Sequence, residues 1–293
     1  MISVVPIAAI IADIETSGFA ASVFPYLWLL VVSIVIERKR GGSHVTLGLP
    51  LHAQSMQHMG KGAVVALGAV CSVVLAVVAL GGSWTIDLRL VDTPVLAMSS
   101  VLLTAMLAFG EELLFRGVVF QALHERFGAA TAILATSLPF GLAHLANPDA
   151  GPISTINTIL AGISLGVMVT TFRSLWVAIG FHMAWNLSVA AAVGPLSGWD
   201  FMPYRVAAVD TTMLGPWRWL VDGPYGIEEG AMTTAVLMII VIATLRSKRY
   251  DAVVEAGRFR RLFVEQRSLY TPLTPASSDT TEVSRSVSDD ERI

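Results

Sequence analysis

Seven apolar stretches leave this chain few folds to choose from; they run near 19–36, 61–82, 94–123, 128–146, 153–172, 175–193 and 230–245. A helix crosses the hydrocarbon of a bilayer in about 20 residues. In lipid every backbone amide must find its partner within the protein, and a helix does this inside a single segment. The expected fold is therefore all-α, a polytopic transmembrane helical bundle of about seven spans, with eight as the alternative count. The last stretch is short for a span. Composition agrees, with 54% hydrophobic and 14% charged residues and a mean hydropathy of +0.68. Soluble domains carry about 25% charged residues. The net charge of −3 argues against nucleic acid as a partner. Cys71 is the single cysteine, so no intramolecular disulfide forms, and its apolar surroundings suggest a small buried hydrophobe. Residues 2–12 are too few to span. With no basic n-region and with Asp13 and Glu15 following, the start reads as an interfacial segment, 1–18, not as a cleaved signal peptide.

Charge sets the expected orientation. Arg38, Lys39, Arg40, Lys61, Arg126, Arg173, Arg246, Lys248 and Arg249 alternate along the chain with acidic loops that hold Asp87, Asp92, Asp149, Asp200, Asp210, Asp222, Glu228 and Glu229. The positive-inside rule then puts the N-terminus outside and the C-terminus in the cytoplasm, and seven spans agree with opposite ends. A transmembrane domain is expected over 19–250 and a cytoplasmic tail over 251–293. The Ser/Thr/Asp/Glu-rich stretch from about 271 cannot bury a core and is expected to be disordered. Arg258, Arg260 and Arg261 suit anionic headgroups. The outer loop 194–229 carries Trp199, Tyr204, Trp217, Trp219 and Tyr225, a density of aromatics that suits the membrane–water interface. The expected location is an integral, multi-pass protein of a prokaryotic plasma membrane, with lipid as one partner.

Three of the stretches hold polar residues that do not belong in lipid: Glu111, Glu112 and Arg116 in the third, His144 in the fourth, His182 and Asn186 in the sixth. An ionisable side chain near the bilayer centre costs on the order of 2.5–3.5 kcal/mol on insertion scales and marks a functional site by default. Counted from a turn near Phe127-Gly128 at 1.5 Å per residue, Glu111 and His144 lie roughly 24 and 26 Å away, at nearly one level. His182 and Asn186 lie roughly 14 and 20 Å beyond Arg173. Glu112 and Arg116 are i and i+4 and can pair along the helix. Glu111 is rotated by about 100° and lacks that partner, which suits a general base. His182 and Asn186 share a face and can donate together to a developing oxyanion.

EELLFR (Glu111 to Arg116), FGLAH (Phe140 to His144) and HMAWN (His182 to Asn186) resemble the three ordered motifs of the CPBP intramembrane proteases. That family includes the type II CAAX prenyl endopeptidases and bacteriocin-immunity proteins. The resemblance covers about 95–190. It implies a helical, glutamate-dependent peptidase acting on a membrane-associated protein or peptide. Position by position, Glu111 would be the base for the attacking water, held with His144. Glu112 would support the site with Arg116, and His182 and Asn186 would stabilise the oxyanion. The family is often labelled metalloprotease, yet the prenyl endopeptidases are thought to work without metal. Metal-free catalysis is the expectation here, with Zn²⁺ on His144, His182 and Glu111 as the open alternative. The chain has no HExxH to decide it. The prenyl endopeptidases resemble eight-span proteins, against the seven counted here.

Other readings of the same residues are a buried ion-pair network, a proton-coupled carrier and a non-catalytic immunity or assembly factor. Phe140, Phe181 and Trp185 are expected to pack. His44, His52, His58 and His124 are expected to be solvated or interfacial, and Glu228-Glu229 to be an acid pair at a helix N-terminus. Gly162 and Gly166 permit close helix packing.

Overall fold

Each of the seven apolar stretches becomes helix in the computed structural model, which describes residues 19–89, 94–200 and 205–247. The helices are α1 (Phe19–Lys39), α2 (Ala53–Ala79), α3 (Pro94–Arg116), α4 (Val118–Phe127), α5 (Ala129–Ala143), α6 (Pro152–Phe172), α7 (Leu175–Ala192) and α8 (Ala231–Leu245). Five segments are long and apolar enough to cross a membrane: Ala53–Ala79, Met98–Phe127, Ala129–Ala146, Pro152–Phe172 and Leu175–Ala192. The expected interfacial segment 1–18 and the tail from 251, with its arginines, lie outside the described residues.

The fold is not wholly α. Strand β1 (Ser83–Arg89) pairs antiparallel with β2 (Arg205–Asp210), from Ser83 opposite Asp210 to Ile86 opposite Ala207. Both strands lie in connections between helices. Trp84, Ile86 and Leu88 alternate with polar residues in the period of a strand. Its partner is more than a hundred residues away, where no local pattern reaches. The sheet docks on the end of α7, where Trp84 Nε1 donates to the Ala192 carbonyl at 2.7 Å and Val209 N to the Val193 carbonyl at 2.9 Å.

Glycines set how closely the helices approach. A Cβ at Gly62 on α2 would collide with the Val177 carbonyl, and one at Gly180 on α7 with the Met59 carbonyl. These two glycines let the backbones of α2 and α7 touch, which seats α7 against the bundle. The expected contact of Gly162 and Gly166 is also present: a Cβ at Gly162 would lie 3.0 Å from Ser137 Cβ on α5, and one at Gly166 would lie 3.2 Å from the Ile133 side chain.

The third stretch, expected as one span, is broken. Gly117 has ψ −122, and a Cβ there would collide with the Leu113 carbonyl. Gln121 Nε2 donates to the Arg116 carbonyl at 3.4 Å, so the break does not strand that group. The straight-helix count behind the depth estimate therefore does not apply, although the levels it matched do meet.

Four expectations about single residues are corrected. Cys71 is exposed, not buried. A membrane helix is apolar on its outer face as well, so hydrophobic neighbours do not separate inside from outside. His58 and His124 are buried, with the His58 ring edge-on to Phe172 at 5.5 Å and the His124 ring 6.0 Å from Phe120. For His58 the reason is that α2 begins at Ala53, eight residues before the expected 61. In the loop 194–229 Trp217 and Trp219 are exposed, the pattern expected of an interfacial segment, but Tyr225 is buried; Tyr204 lies outside the described residues.

Candidate active site

Three helices bring the polar residues of the three motifs to one place. Glu112 and Arg116 are both 0% exposed, and Arg116 Nη1 donates to Glu112 Oε1 at 2.9 Å, one turn along α3. Arg116 Nη2 reaches the Gly162 carbonyl of α6 at 3.3 Å, and its guanidinium lies 4.2 Å from the centre of the Phe140 ring. A buried charge is tolerated when paired and hydrogen-bonded, and these contacts supply both.

The same Glu112 oxygen holds α7. His182 Nδ1 lies 2.9 Å from Glu112 Oε1. A carboxylate oxygen accepts, so Nδ1 carries the hydrogen. His144 ends α5, and its Nδ1 donates to the Phe140 carbonyl at 2.8 Å. With both Nδ1–H groups committed, both Nε2 atoms are turned to the other side of their rings. That side is occupied by Glu111 Oε2, 3.9 Å from His144 Nε2 and 3.8 Å from His182 Nε2. Phe140 walls the group, with its ring 4.8 Å from His144 and 5.9 Å from His182.

Glu111 and His144 are the open part of the site, 27% and 17% exposed as side chains. The Oε2 atom is nonetheless buried and has no hydrogen-bond partner among the described residues. Distances of 3.8 and 3.9 Å are too long for direct hydrogen bonds. They suit a bridging group about 2.8 Å from each atom, such as a water molecule. Asn186 sits one turn beyond His182, half-buried, and makes no side-chain hydrogen bond among the described residues. Of the two donors expected for an oxyanion, the Asn186 amide is uncommitted. His182 has only Nε2 to offer, because Glu112 holds the other nitrogen.

Two imidazoles and a carboxylate, with each far imidazole nitrogen anchored, form a donor set of the zinc type. The spacing does not fit. Ligands about 2.0–2.1 Å from Zn²⁺ in tetrahedral geometry stand roughly 3.3 Å apart, shorter than the distances here. Among the described residues no three Asp, Glu, His or Cys side chains are placed to hold a metal ion.

Two contributions to the site were not read from the motifs. Gly162, expected only to allow close packing, gives its carbonyl to Arg116, and a Cβ on it would lie 3.1 Å from Arg116 Nη2. Glu228 precedes α8 as expected but is not merely a helix-start acid. It accepts from Trp185 Nε1 at 2.9 Å and from Ser197 N and Oγ. Glu229 Oε2 accepts from Tyr225 N at 3.1 Å. Burial, together with the Glu228 charge, pushes the Tyr225 hydroxyl above its ordinary pKa. Nothing local to Glu228 announces these partners. Phe181 and Trp185 pack as expected, with parallel rings 6.0 Å apart.

Residues 93–188 match a family model described as Rce1-like, type II CAAX prenyl endopeptidase Rce1-like. The matched segment, about a third of the chain, runs from the start of α3 into α7 and contains all three motifs. Over that segment the resemblance to the CAAX prenyl endopeptidases is borne out. No curated protein and no solved structure matches the chain.

Proposed function

With residues 93–188 in the Rce1-like family, we propose that this chain is an intramembrane endopeptidase that hydrolyses a peptide bond of a membrane-associated protein or peptide. The observation that carries the reading is the approach of Glu111 Oε2 to both imidazole Nε2 atoms, at 3.9 and 3.8 Å.

In this mechanism Glu111 takes a proton from a water molecule that His144 Nε2 helps to hold, and the water oxygen attacks the carbonyl carbon. Charge develops on the carbonyl oxygen, which meets the Asn186 amide and Nε2–H of a protonated His182. The carbon–nitrogen bond then breaks, and Glu111 passes its proton to the leaving amine. Glu112 and Arg116 keep His182 in place and do not touch the substrate. No metal takes part. Fold does not fix substrate, so a prenyl group on the substrate is no part of this reading.

The proposed setting is a prokaryotic plasma membrane crossed seven times, with the N-terminus outside, residues 1–18 at the interface and the tail 251–293 in the cytoplasm. Basic residues at Arg38, Lys39, Arg40 and Arg246 support this orientation. The bond cleaved lies in the cytoplasmic half of the bilayer.

The test is hydrolysis of membrane-anchored peptides by the purified chain in proteoliposomes. Wild-type protein is expected to cleave, to keep its rate after treatment with a chelator, and to hold less than one metal ion per chain. Full activity in Glu111→Gln rejects the role of Glu111, and activity lost on chelation and restored by Zn²⁺ rejects the metal-free mechanism.

A further inference from the structure

His144 has a weak mounting of its own. It caps the C-terminal end of α5, follows Pro139 within that helix, and opens a single 3-10 turn, His144–Ala146. Among the described residues the one hydrogen bond of its side chain goes to the Phe140 carbonyl, four residues back in the same helix. Helix ends fray, and a local bond of this kind moves with the end that carries it. Something outside α5 must fix the turn if His144 Nε2 is to stay level with Glu111.

That support comes from the extramembrane segment between α7 and α8. Just after the turn, Asn147 Nδ2 donates to the Tyr225 hydroxyl at 3.2 Å. Gly198, at φ +81, lies flat on the Pro148 carbonyl, where a Cβ would collide, and its N–H donates to the Tyr225 carbonyl at 3.2 Å. The same segment grips the helix of the second imidazole. Trp185, three residues after His182 and on its side of α7, donates to Glu228 Oε1 at 2.9 Å. The other Glu228 oxygen is taken by Ser197. The segment is itself pinned to α6, since Asn157 Nδ2 donates to the Glu228 carbonyl at 2.8 Å. One short stretch of chain therefore touches the mounts of both histidines, and neither Glu228 nor Tyr225 lies within 93–188.

We propose that residues 195–200 and 225–230 form a clamp beside the site, in which Glu228 and Tyr225 are positioning residues that hold the His182 helix and the His144 turn at a common level. The catalytic consequence rests on the peptidase reading; the clamp itself rests on the geometry above. A displacement of about 1 Å in a catalytic group can lower a rate roughly 100-fold.

The experiment compares full-length wild type with Tyr225→Phe, Glu228→Gln and Glu228→Ala in detergent. Acylation of each histidine by diethyl pyrocarbonate is followed by mass spectrometry, with exposed His44 as the internal reference. Tyr225→Phe is expected to speed acylation of His144 several-fold and to leave His182 unchanged. Glu228→Ala is expected to speed acylation of His182, and Glu228→Gln, which keeps one acceptor oxygen, to fall between it and wild type. His44 should not change. With a membrane-anchored peptide that the wild type cleaves, kcat should fall roughly tenfold or more in Glu228→Ala while KM stays nearly constant. Unchanged His144 and His182 reactivity in folded Tyr225→Phe and Glu228→Ala overturns the clamp. So does a loss of activity that merely tracks the folded fraction. If the wild type cleaves no peptide, the peptidase reading falls, and the histidine reactivities still decide whether the clamp exists.

Discussion

Glu111 and Glu112 are consecutive on α3 and meet unlike surroundings. Glu112 is fully buried, shares one oxygen between Arg116 and His182, and knits α3 to α7. Through Arg116 it also reaches α6. Glu111 is partly exposed, and its buried Oε2 has no hydrogen-bond partner among the described residues. A rotation of about 100° between neighbouring helix positions separates the two. It sends one carboxylate into the packing and the other to an opening. A fully buried pair tied by hydrogen bonds to two neighbouring helices suits support, whereas a partly exposed carboxylate facing two imidazole nitrogens suits chemistry.

The widest expected difference is in turnover. Glu111→Gln should lower peptide hydrolysis roughly 1,000-fold, within the range of a general base, and leave the melting temperature in detergent within a few degrees of wild type. An equal loss of stability would erase the contrast between the two acids. Glu112→Ala should do the reverse in kind. By leaving Arg116 buried without its anion it should destabilise the fold by about 3–5 kcal/mol, seen as a lowered denaturation midpoint, with activity lost alongside. A stable Glu112→Ala protein would mean that the network is not what holds α3 to α7.

A smaller effect is expected at Gly162. Gly162→Ala crowds Ser137 and Arg116 Nη2, and overpacking of this kind costs about 1–3 kcal/mol. It should also reduce activity, because it pushes on the Arg116 that steadies Glu112. A lowered midpoint with full activity would detach Gly162 from the site. The smallest effect concerns Tyr225. Its folded pKa is raised above the ordinary 10.0. The unfolded chain therefore ionises first, and the stability gained from keeping the hydroxyl neutral is present below pH 10 and is lost as pH rises above it. The melting temperature should fall more steeply from pH 9 to pH 11 in wild type than in Tyr225→Phe. Parallel curves would place the hydroxyl in an ordinary, solvated setting.

The i, i+4 pairing of Glu112 with Arg116 and the isolation of Glu111 followed from helical geometry alone, because both depend on spacing within one helix. The meeting of Glu111 with His144 and His182 was anticipated from depth, yet α3 breaks at Gly117 and His144 sits at a helix end, so the estimate succeeded on a premise the structure does not keep. Cys71 was misplaced because hydropathy reports lipid and protein interior alike. Glu228 was read as a local helix-start acid because its partners, Trp185 and Ser197, are 43 and 31 residues away.

Apolar length and the cost of charge in lipid acted residue by residue, and so the sequence by itself determined the helices, the polar residues that must be sheltered, and which of two adjacent acids would have a partner. Only the tertiary structure decided how the strands pair, where the backbone glycines let helices touch, and which distant residues meet Asn147 and Trp185 beside the histidines. Those choices depend on contacts between distant parts of the chain, each one compatible with the local pattern and none required by it.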